Sequence, residues 1–376
     1  MKALSVISVS LLCSLSALAD GAEDRLREVP VKEALARRFP EETALVTFQK
    51  GGRPGITVIG NNTFQGTIAL KKTDPARDAI AETGEYVIAY PGGDMEKEVA
   101  YCLAHKGRLQ DALKELKLET SPARRVGAPL LNKCIVNYEC KVWRKVDVGD
   151  STIFVGDVVS ADRRRQDVGR LFIAGYDKDK PVFKAFEGAR GLPIPRGREK
   201  YPEQTVLIVS CGKDGKPNVM TAGWTMLVAD DPPMIAVAIG KSRYTHGLIS
   251  ATKQFVCAYP GSDMDDEVLY CGTRSGSRVN KFEELKLQTQ PAAKVKLPLL
   301  SKCLAAFECT VVREVDYGSH TIFVGRIEAA HVSDKQVPRL YNLGSDGRRH
   351  TVLKGLGSVG GQGQETATTR PATQSQ

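Results

Sequence analysis

The passage Ala258-Tyr259-Pro260-Gly261, then Tyr270-Cys271, Pro298-Leu299-Leu300, Glu308-Cys309 and Thr321-Ile322-Phe323-Val324-Gly325, occurs twice in this chain. Its first appearance reads Ala89-Tyr90-Pro91-Gly92, Tyr101-Cys102, Pro129-Leu130-Leu131, Glu139-Cys140 and Thr152-Ile153-Phe154-Val155-Gly156. One offset of 169 aligns Thr83–Gly156 with Thr252–Gly325 without a gap, and 38 of those 74 positions are identical. Chance does not produce this, so the chain is two copies of one domain. The period is too long for a solenoid unit, so each copy is expected to be a complete domain. Upstream, Phe39-Pro40-Glu41 matches Tyr201-Pro202-Glu203 at an offset of 162, so the second copy holds seven extra residues before residue 240. The loss in the first copy falls around Gly55–Thr67, opposite Asn218–Ala236.

The pattern inside a copy is mostly strand. Thr205–Cys211 is a β-branched run stopped by the turn sequence Gly212-Lys213-Asp214-Gly215-Lys216-Pro217. Met234–Ile239, Phe255–Tyr259, Cys303–Val312 and His320–Ile327 also read as strands. Tyr244–Ala251 and Met264–Tyr270 read as short helices, and Lys281–Leu285 as a helical turn. Many short strands with few helices predict a mainly β fold, one small barrel per copy, closed so that no edge is exposed. The expected organisation is a signal peptide at 1–19, a first domain at 28–186, a Gly/Pro/Arg-rich linker at 187–200 and a second domain at 201–354. A Gly/Gln/Thr/Ser tail at 355–376 is expected to be disordered.

The 376 residues are 42% hydrophobic and 26% charged, which excludes collagen-like, mucin-like and largely disordered chains. The net charge of +9 is scattered, densest at Arg163-Arg164-Arg165 and Arg190–Lys200, rather than gathered with aromatics as a nucleic-acid binder requires. Attraction to anionic surfaces or phosphorylated ligands is the milder reading. Met1–Ala19 has a positive start, an apolar Ser-rich core and a small-x-small site at Ala17-Leu18-Ala19, the pattern of a secretory signal. The expected location is therefore periplasmic or secreted, without stable membrane insertion; an uncleaved anchor is the alternative. Cleavage leaves eight cysteines. Cys134/Cys140 and Cys303/Cys309 are six residues apart in strand-like sequence, about 20 Å and beyond the reach of a disulfide. No zinc spacing occurs, and buried thiols are expected.

Three stretches of the second copy carry chemistry that a core does not need. Asn218-Val219-Met220-Thr221-Ala222-Gly223-Trp224-Thr225 is small enough to let a flat ligand meet backbone N–H and C=O groups. Gly240-Lys241-Ser242-Arg243-Tyr244-Thr245 combines two cations, hydroxyls and a helix start, which suits a phosphate. Gly272–Phe282 is a basic Gly/Ser loop of the kind that wraps polar ligands. Each alone also reads as packing, a solvated cap or a surface loop. The first copy is an internal control. It shortens the Trp224 segment, puts Thr73-Asp74-Pro75-Ala76 opposite Ser242-Arg243-Tyr244-Thr245, and replaces Ser275 by Lys106 and Lys281 by Ala112. The framework survived while all three stretches changed together, as a shared ligand would explain.

The second copy, about Arg198–Gly344, resembles the flavin reductase-like domain, an FMN-binding split barrel of the flavoredoxin type. The resemblance rests on Asn218–Thr225, Asp231-Pro232-Pro233, Arg243-Tyr244-Thr245, Tyr270-Cys271-Gly272, Ser275-Gly276, Lys281-Phe282-Glu283 and Phe323-Val324-Gly325. It implies a Greek-key split barrel that holds FMN non-covalently. Met220, Thr221, Ala222, Gly223, Trp224 and Thr225 would face the isoalloxazine. Lys241, Ser242, Arg243, Tyr244 and Thr245 would hold the phosphate, and Ser275, Gly276 and Lys281 would close over the cofactor. Ser277 stands where the family usually has Arg, and Asn280 where it often has Asp. Family members usually dimerise around the flavin, so the fused copies would form a pseudo-dimer within one chain, with a homodimer as the alternative.

No protein acid, base or nucleophile is required, since the flavin carries the electron chemistry. His246 and His320 lie beside the motifs and read as structural. NAD(P)H is the conventional electron donor; an exported protein would instead meet a thiol protein, quinone or cytochrome. The competing readings are a non-catalytic flavin-binding module and a structural or interaction protein with both sites dead.

Overall fold

The computed structural model describes residues 24–60, 63–105, 112–164, 168–187, 201–345, 351–358 and 367–368. The proposed signal peptide, nearly all of the linker and most of the tail lie outside them. The strands expected in the second repeat are present as Val206–Cys211, Pro233–Gly240, Gln254–Tyr259, Ala305–Tyr317 and His320–Val332, with Pro217–Ala222 and Thr225–Asp230 added. The helices are Tyr244–Thr252, Asp265–Thr273 and Lys281–Glu284. The two long strands outrun their sequence signal because they continue past register shifts at Glu308/Cys309 and Val311/Arg313, where bulges turn the ladder without ending it.

The hydrogen-bonded order in the second repeat runs Pro217–Ala222, Val206–Cys211, Gln254–Tyr259, Ala305–Tyr317, His320–Val332, Pro233–Gly240, Thr225–Asp230. The first repeat has the same order: Arg53–Gly60, Glu41–Lys50, Glu85–Tyr90, Val136–Val148, Ser151–Arg163, Thr67–Lys71, Thr63–Phe64. Each path is open. This corrects the expected closed barrel. In the second repeat the two end strands are consecutive in sequence and joined only by Gly223-Trp224, so the sheet must curl until its ends approach, yet no ladder seals them. The result is a split barrel. Its split leaves one backbone edge of Pro217–Ala222 outside the ladder, and the three helices of the repeat pack on that strand.

Apolar alternation builds the interior. Val206, Ile208, Ile235, Val237, Phe255 and Phe307 fill the barrel, while Leu207, Val209, Val219 and Val256 pack against the helices through Val268 and Cys271. The eight described cysteines are all buried free thiols, as expected. Burial raises their pKa values, to about 12 for Cys102, Cys257 and Cys271, so they behave as small hydrophobes.

The repeats share a core. Phe64, Ile153 and Val155 of the first pack against Met226, Val228, Ile322 and Val324 of the second. The domain start expected at residue 28 also needs correction. Arg27–Val29 pairs with Ala330–Val332, and the helix Val31–Leu35 lays Ala34, with half-buried Val31 and Leu35 at i, i+3, i+4 spacing, on the second repeat, covering a sheet face that would otherwise meet water. The tail likewise starts later than residue 355. Gly355 and Leu356 finish a strand, Thr351–Leu356, paired with Arg339–Ser345, and Leu356 buries against Phe172, Phe186 and Tyr341.

Candidate functional site

The three sequence stretches converge on the edge strand Pro217–Ala222. Strand alternation decides what each side chain can do. Met220 and Ala222 pack against the barrel interior, while Thr221 turns the other way and donates from Oγ1 to the Val268 carbonyl. The expectation that Met220–Thr225 all face one ring is corrected accordingly: side chains two apart share a face and neighbours do not. What the segment does present is its free backbone edge and the half-buried Gly223-Trp224 at the split. Thr225 is buried, its carbonyl accepting from Gln204 Nε2 at 2.5 Å.

Asn218 is the pivot of the site. It stands opposite Ser210 in the ladder, so both side chains lie on one face. Asn218 Nδ2 donates to Thr245 Oγ1 at 2.8 Å, while Asn218 Oδ1 and Ser210 Oγ are buried and find no hydrogen-bond partner among the described residues. Gly276 lies against the same amide. A Cβ at that position would sit 1.8 Å from Asn218 Oδ1 and 3.2 Å from the Tyr244 ring, so only glycine lets the loop approach this closely. Asn280 Oδ1, in the same loop, is also buried and unpaired. Buried acceptors without donors are costly, about 1–3 kcal/mol each, and hydroxyl-bearing ligand atoms would relieve them.

At the neighbouring helix start, Arg243 makes no ion pair among the described residues, and Ser242 and Tyr244 are exposed beside it. Lys241 is not free: its Nζ lies 2.8 Å from Asp316. Ser275 Oγ sits 2.9 Å from Ser277 Oγ, which occupies the position where arginine is usual. Lys281 departs from its expected role. Its burial lowers its pKa through desolvation, and its Nζ donates to the Val219 and Cys271 carbonyls at 2.7 and 2.8 Å. It therefore positions the loop and the edge strand rather than offering its ammonium to a phosphate.

Sequence reasoning undervalued His320. Its ring lies 4.7 Å from Trp224, and burial followed by the Arg243 cation lowers its pKa, which keeps it neutral near pH 7. It also joins the ring end of the site to the cation end, since a Cβ on Gly240 would be 3.5 Å from both His320 and Arg243. His246, by contrast, is tied to Thr321 Oγ1 at 2.8 Å. Nothing in the linear sequence brings His320 to Trp224.

In the first repeat the counterpart of the Ser210–Asn218 pair is filled, although a cavity of about 410 Å³ remains beside Val58, Ile59, Gly60, Thr73 and Asp74. Phe48 and Gly55 replace Ser210 and Asn218 in the same ladder pair, and a Cβ on Gly55 would be 2.5 Å from the Phe48 ring. Ala76 replaces Thr245, and Asp74 caps its helix through Ala76 N–H at 2.9 Å instead of supplying a cation.

Residues 36–178 and 199–348 each match the Flavin reductase like domain, and the chain belongs to that family as a tandem pair. It is a flavoprotein oxidoreductase of the flavin reductase type. An uncharacterised protein of Archaeoglobus fulgidus is 48% identical over 127 residues, covering 34% of this chain and 71% of its own. The reductase component of an FADH(2)-dependent resorcinol hydroxylase from Rhizobium sp. is 26% identical over 145 residues, 38% of this chain and 78% of its own. Among solved structures, a flavoredoxin from Methanosarcina acetivorans is 25% identical, with a TM-score of 0.36, covering 50% of this chain and 95% of its own.

Proposed function

We propose that the second repeat binds one FMN per chain, that the first repeat serves as its structural partner, and that the protein is exported and acts in electron transfer. The observation that carries the assignment is the difference between Asn218–Thr245, with unpaired buried acceptors beside Gly276, and its counterpart filled by Phe48. The donor set suits FMN. Arg243, Ser242 and the first N–H groups of the Tyr244–Thr252 helix would hold the phosphate. Asn218 Oδ1, Ser210 Oγ and Asn280 Oδ1 would accept from ribityl hydroxyls, and the free backbone edge at Thr221–Gly223 would meet the ring's polar rim. Bound FMN supplies one- and two-electron redox chemistry. The chain's own part is to hold the nucleotide, seat Trp224 and neutral His320 beside it, and shut water from one side through the inter-repeat core.

The test is an FMN titration followed by absorption and flavin fluorescence. The expected result is one FMN per chain, with Arg243→Ala and Asn218→Ala each weakening binding by about 1.5–3 kcal/mol. Two FMN per chain, or variants that bind like the parent, would overturn the assignment. Export predicts a mature protein beginning at Asp20, read by amino-terminal sequencing of periplasmic or secreted material. Export also favours a small-molecule or protein electron carrier over NAD(P)H as the physiological partner.

A further inference from the structure

A solvent-open cavity of about 420 Å³ lies where the two repeats meet. Trp143, Gln65 and Asp157 of the first repeat face Trp224, Tyr317 and His320 of the second across it. The volume is within the range of small-molecule pockets, about 300–1,000 Å³. Its aromatic side chains are linked through Phe64, which lies behind the cavity with its centroid 6.5 Å from that of Tyr317. Trp143 and Tyr317 are nearly parallel, 12° apart with centroids at 6.4 Å. Phe64 and Trp224 are parallel within 5° at 6.3 Å, and Trp224 leans on His320. Tyr317 is fixed by its hydroxyl, which donates to the Gln65 carbonyl at 2.8 Å, and His320 Nδ1 is 2.9 Å from Ser319 Oγ. Trp143 is nevertheless 41% exposed, a large indole held open at the mouth of the cavity.

The side chains that line the cavity are not repeated at the aligned positions of the other copy. At the mirror positions the chain has Val312 for Trp143, Val148 for Tyr317 and Ser151 for His320, and the segment carrying Trp224 is shortened. The aromatic side is the side that carries the FMN residues. The first repeat, whose counterpart of Asn218 is covered by Phe48, thus contributes an exposed tryptophan to its neighbour's cavity.

The charge of the cavity selects its occupant. Among the described residues no lysine or arginine lines it, and Asp157 does. Of the cations nearby, Arg144 lies over the Trp143 ring at 4.9 Å, Lys241 pairs with Asp316, and Arg243, behind His320, is the residue assigned to the FMN phosphate. A pyridine dinucleotide would bring its phosphates to an acidic rim without a cation to meet them. A neutral planar aromatic loses nothing there and gains stacking on indole and phenol faces. The geometry points to this cavity as the binding site for an uncharged quinone-class aromatic, the redox partner of the flavin, with Trp143 as the specificity-determining residue. This rests on the FMN assignment for its role, but its binding is independent of it.

The two tryptophans of the chain both line the cavity, so all tryptophan emission reports on it. The test titrates 1,4-naphthoquinone into the full-length mature protein, without and with FMN, following tryptophan emission and confirming by calorimetry. NADH is titrated in parallel. The expected result is saturable quenching by naphthoquinone, tighter than any NADH effect. In Trp143→Ala and Tyr317→Leu the dissociation constant should rise at least ten-fold, while FMN titration of Trp143→Ala is unchanged. Non-saturating quenching, tighter binding of NADH, or an unaltered constant in Trp143→Ala would each overturn the proposal. An emission maximum that shifts on dilution would place a second copy of the chain in the cavity and also overturn it. If naphthoquinone binds as described but FMN does not bind at all, the FMN assignment fails and the binding site stands. Because Trp143 is 41% exposed and lies outside the core clusters, its substitution should not unfold the chain; Val312→Ala, at the aligned position of the other copy, is the control and should change nothing.

Discussion

Arg170 and Arg339 hold equivalent places on the two sides of the boundary between the repeats. Arg170 lies 3.9 Å over the Tyr90 ring and Arg339 4.0 Å over the Tyr259 ring, and each reaches across to a backbone carbonyl of the opposite repeat, Pro202 and Arg38 respectively. The symmetry breaks at the third partner. Arg170 meets the carboxylate of Glu42 at 3.0 Å, whereas Arg339 meets the neutral amide of Gln204 at 3.2 Å.

That difference predicts unequal costs. Arg170→Met leaves the nearly buried Glu42 without its cation and should destabilise the chain by about 3–5 kcal/mol. Arg339→Met strands only neutral acceptors and should cost about 1–3 kcal/mol. Urea denaturation midpoints at equal slope would show the order, and equal shifts would contradict it.

Glu308 should make the second repeat acid-sensitive. It is buried, accepts from the N–H groups of Ala293, Lys294 and Val295, and lies 2.6 Å from His331 Nε2. Burial raises its pKa, but the His331 contact and the three N–H bonds together outweigh that and hold it at about 2, below its ordinary 4.5. A depressed carboxylate stabilises the fold fully above about 4.5, and the contribution is lost as pH falls towards 2. At about 1.4 kcal/mol per pH unit the effect is on the order of 3 kcal/mol. Glu308→Gln should lower stability at pH 7 and flatten its decline between pH 5 and about 2, measured by denaturant titration at each pH.

Gly276→Ala should separate binding from folding. The added methyl collides with Asn218 Oδ1, so the loop must retreat from the amide. FMN binding is expected to weaken ten-fold or more while the melting temperature moves by only a few degrees, since loop displacement leaves the core packing intact. Unchanged FMN affinity would show that the loop does not take part in the site.

Lys281→Met should act differently from Arg243→Ala. It removes one hydrogen bond to the edge strand at Val219 and one to the Asp265–Thr273 helix at Cys271, so it should cost about 2–4 kcal/mol of stability as well as FMN affinity. Arg243→Ala should cost affinity alone. Thermal melting of both apo proteins distinguishes them.

Leu356→Ala should destabilise the chain by about 2–3 kcal/mol, because the side chain closes a cluster with Phe172, Phe186 and Tyr341 that spans both repeats. A neutral effect would return this residue to the tail.

The duplication and the strand and helix order were legible in the linear chain, because apolar alternation and a constant offset of 169 are properties of the order of residues. That the Asn218, Arg243 and Ser275 stretches belong to one corner was legible only through comparison of the two copies, where their joint change to Gly55, Asp74 and Lys106 stood out. What the order of residues could not decide was direction. Lys281 has the composition of a phosphate ligand, but the helix it opens turns its ammonium onto the Val219 and Cys271 carbonyls. Met220 and Thr221 are neighbours in sequence and lie on opposite faces of one strand. His320, Trp143 and Trp224 come from strands and repeats far apart in the chain, and only the curling of two open sheets against each other brings their rings to one cavity. Short-range pattern fixes which residues form each element; which of their atoms meet is settled by packing that depends on the whole fold.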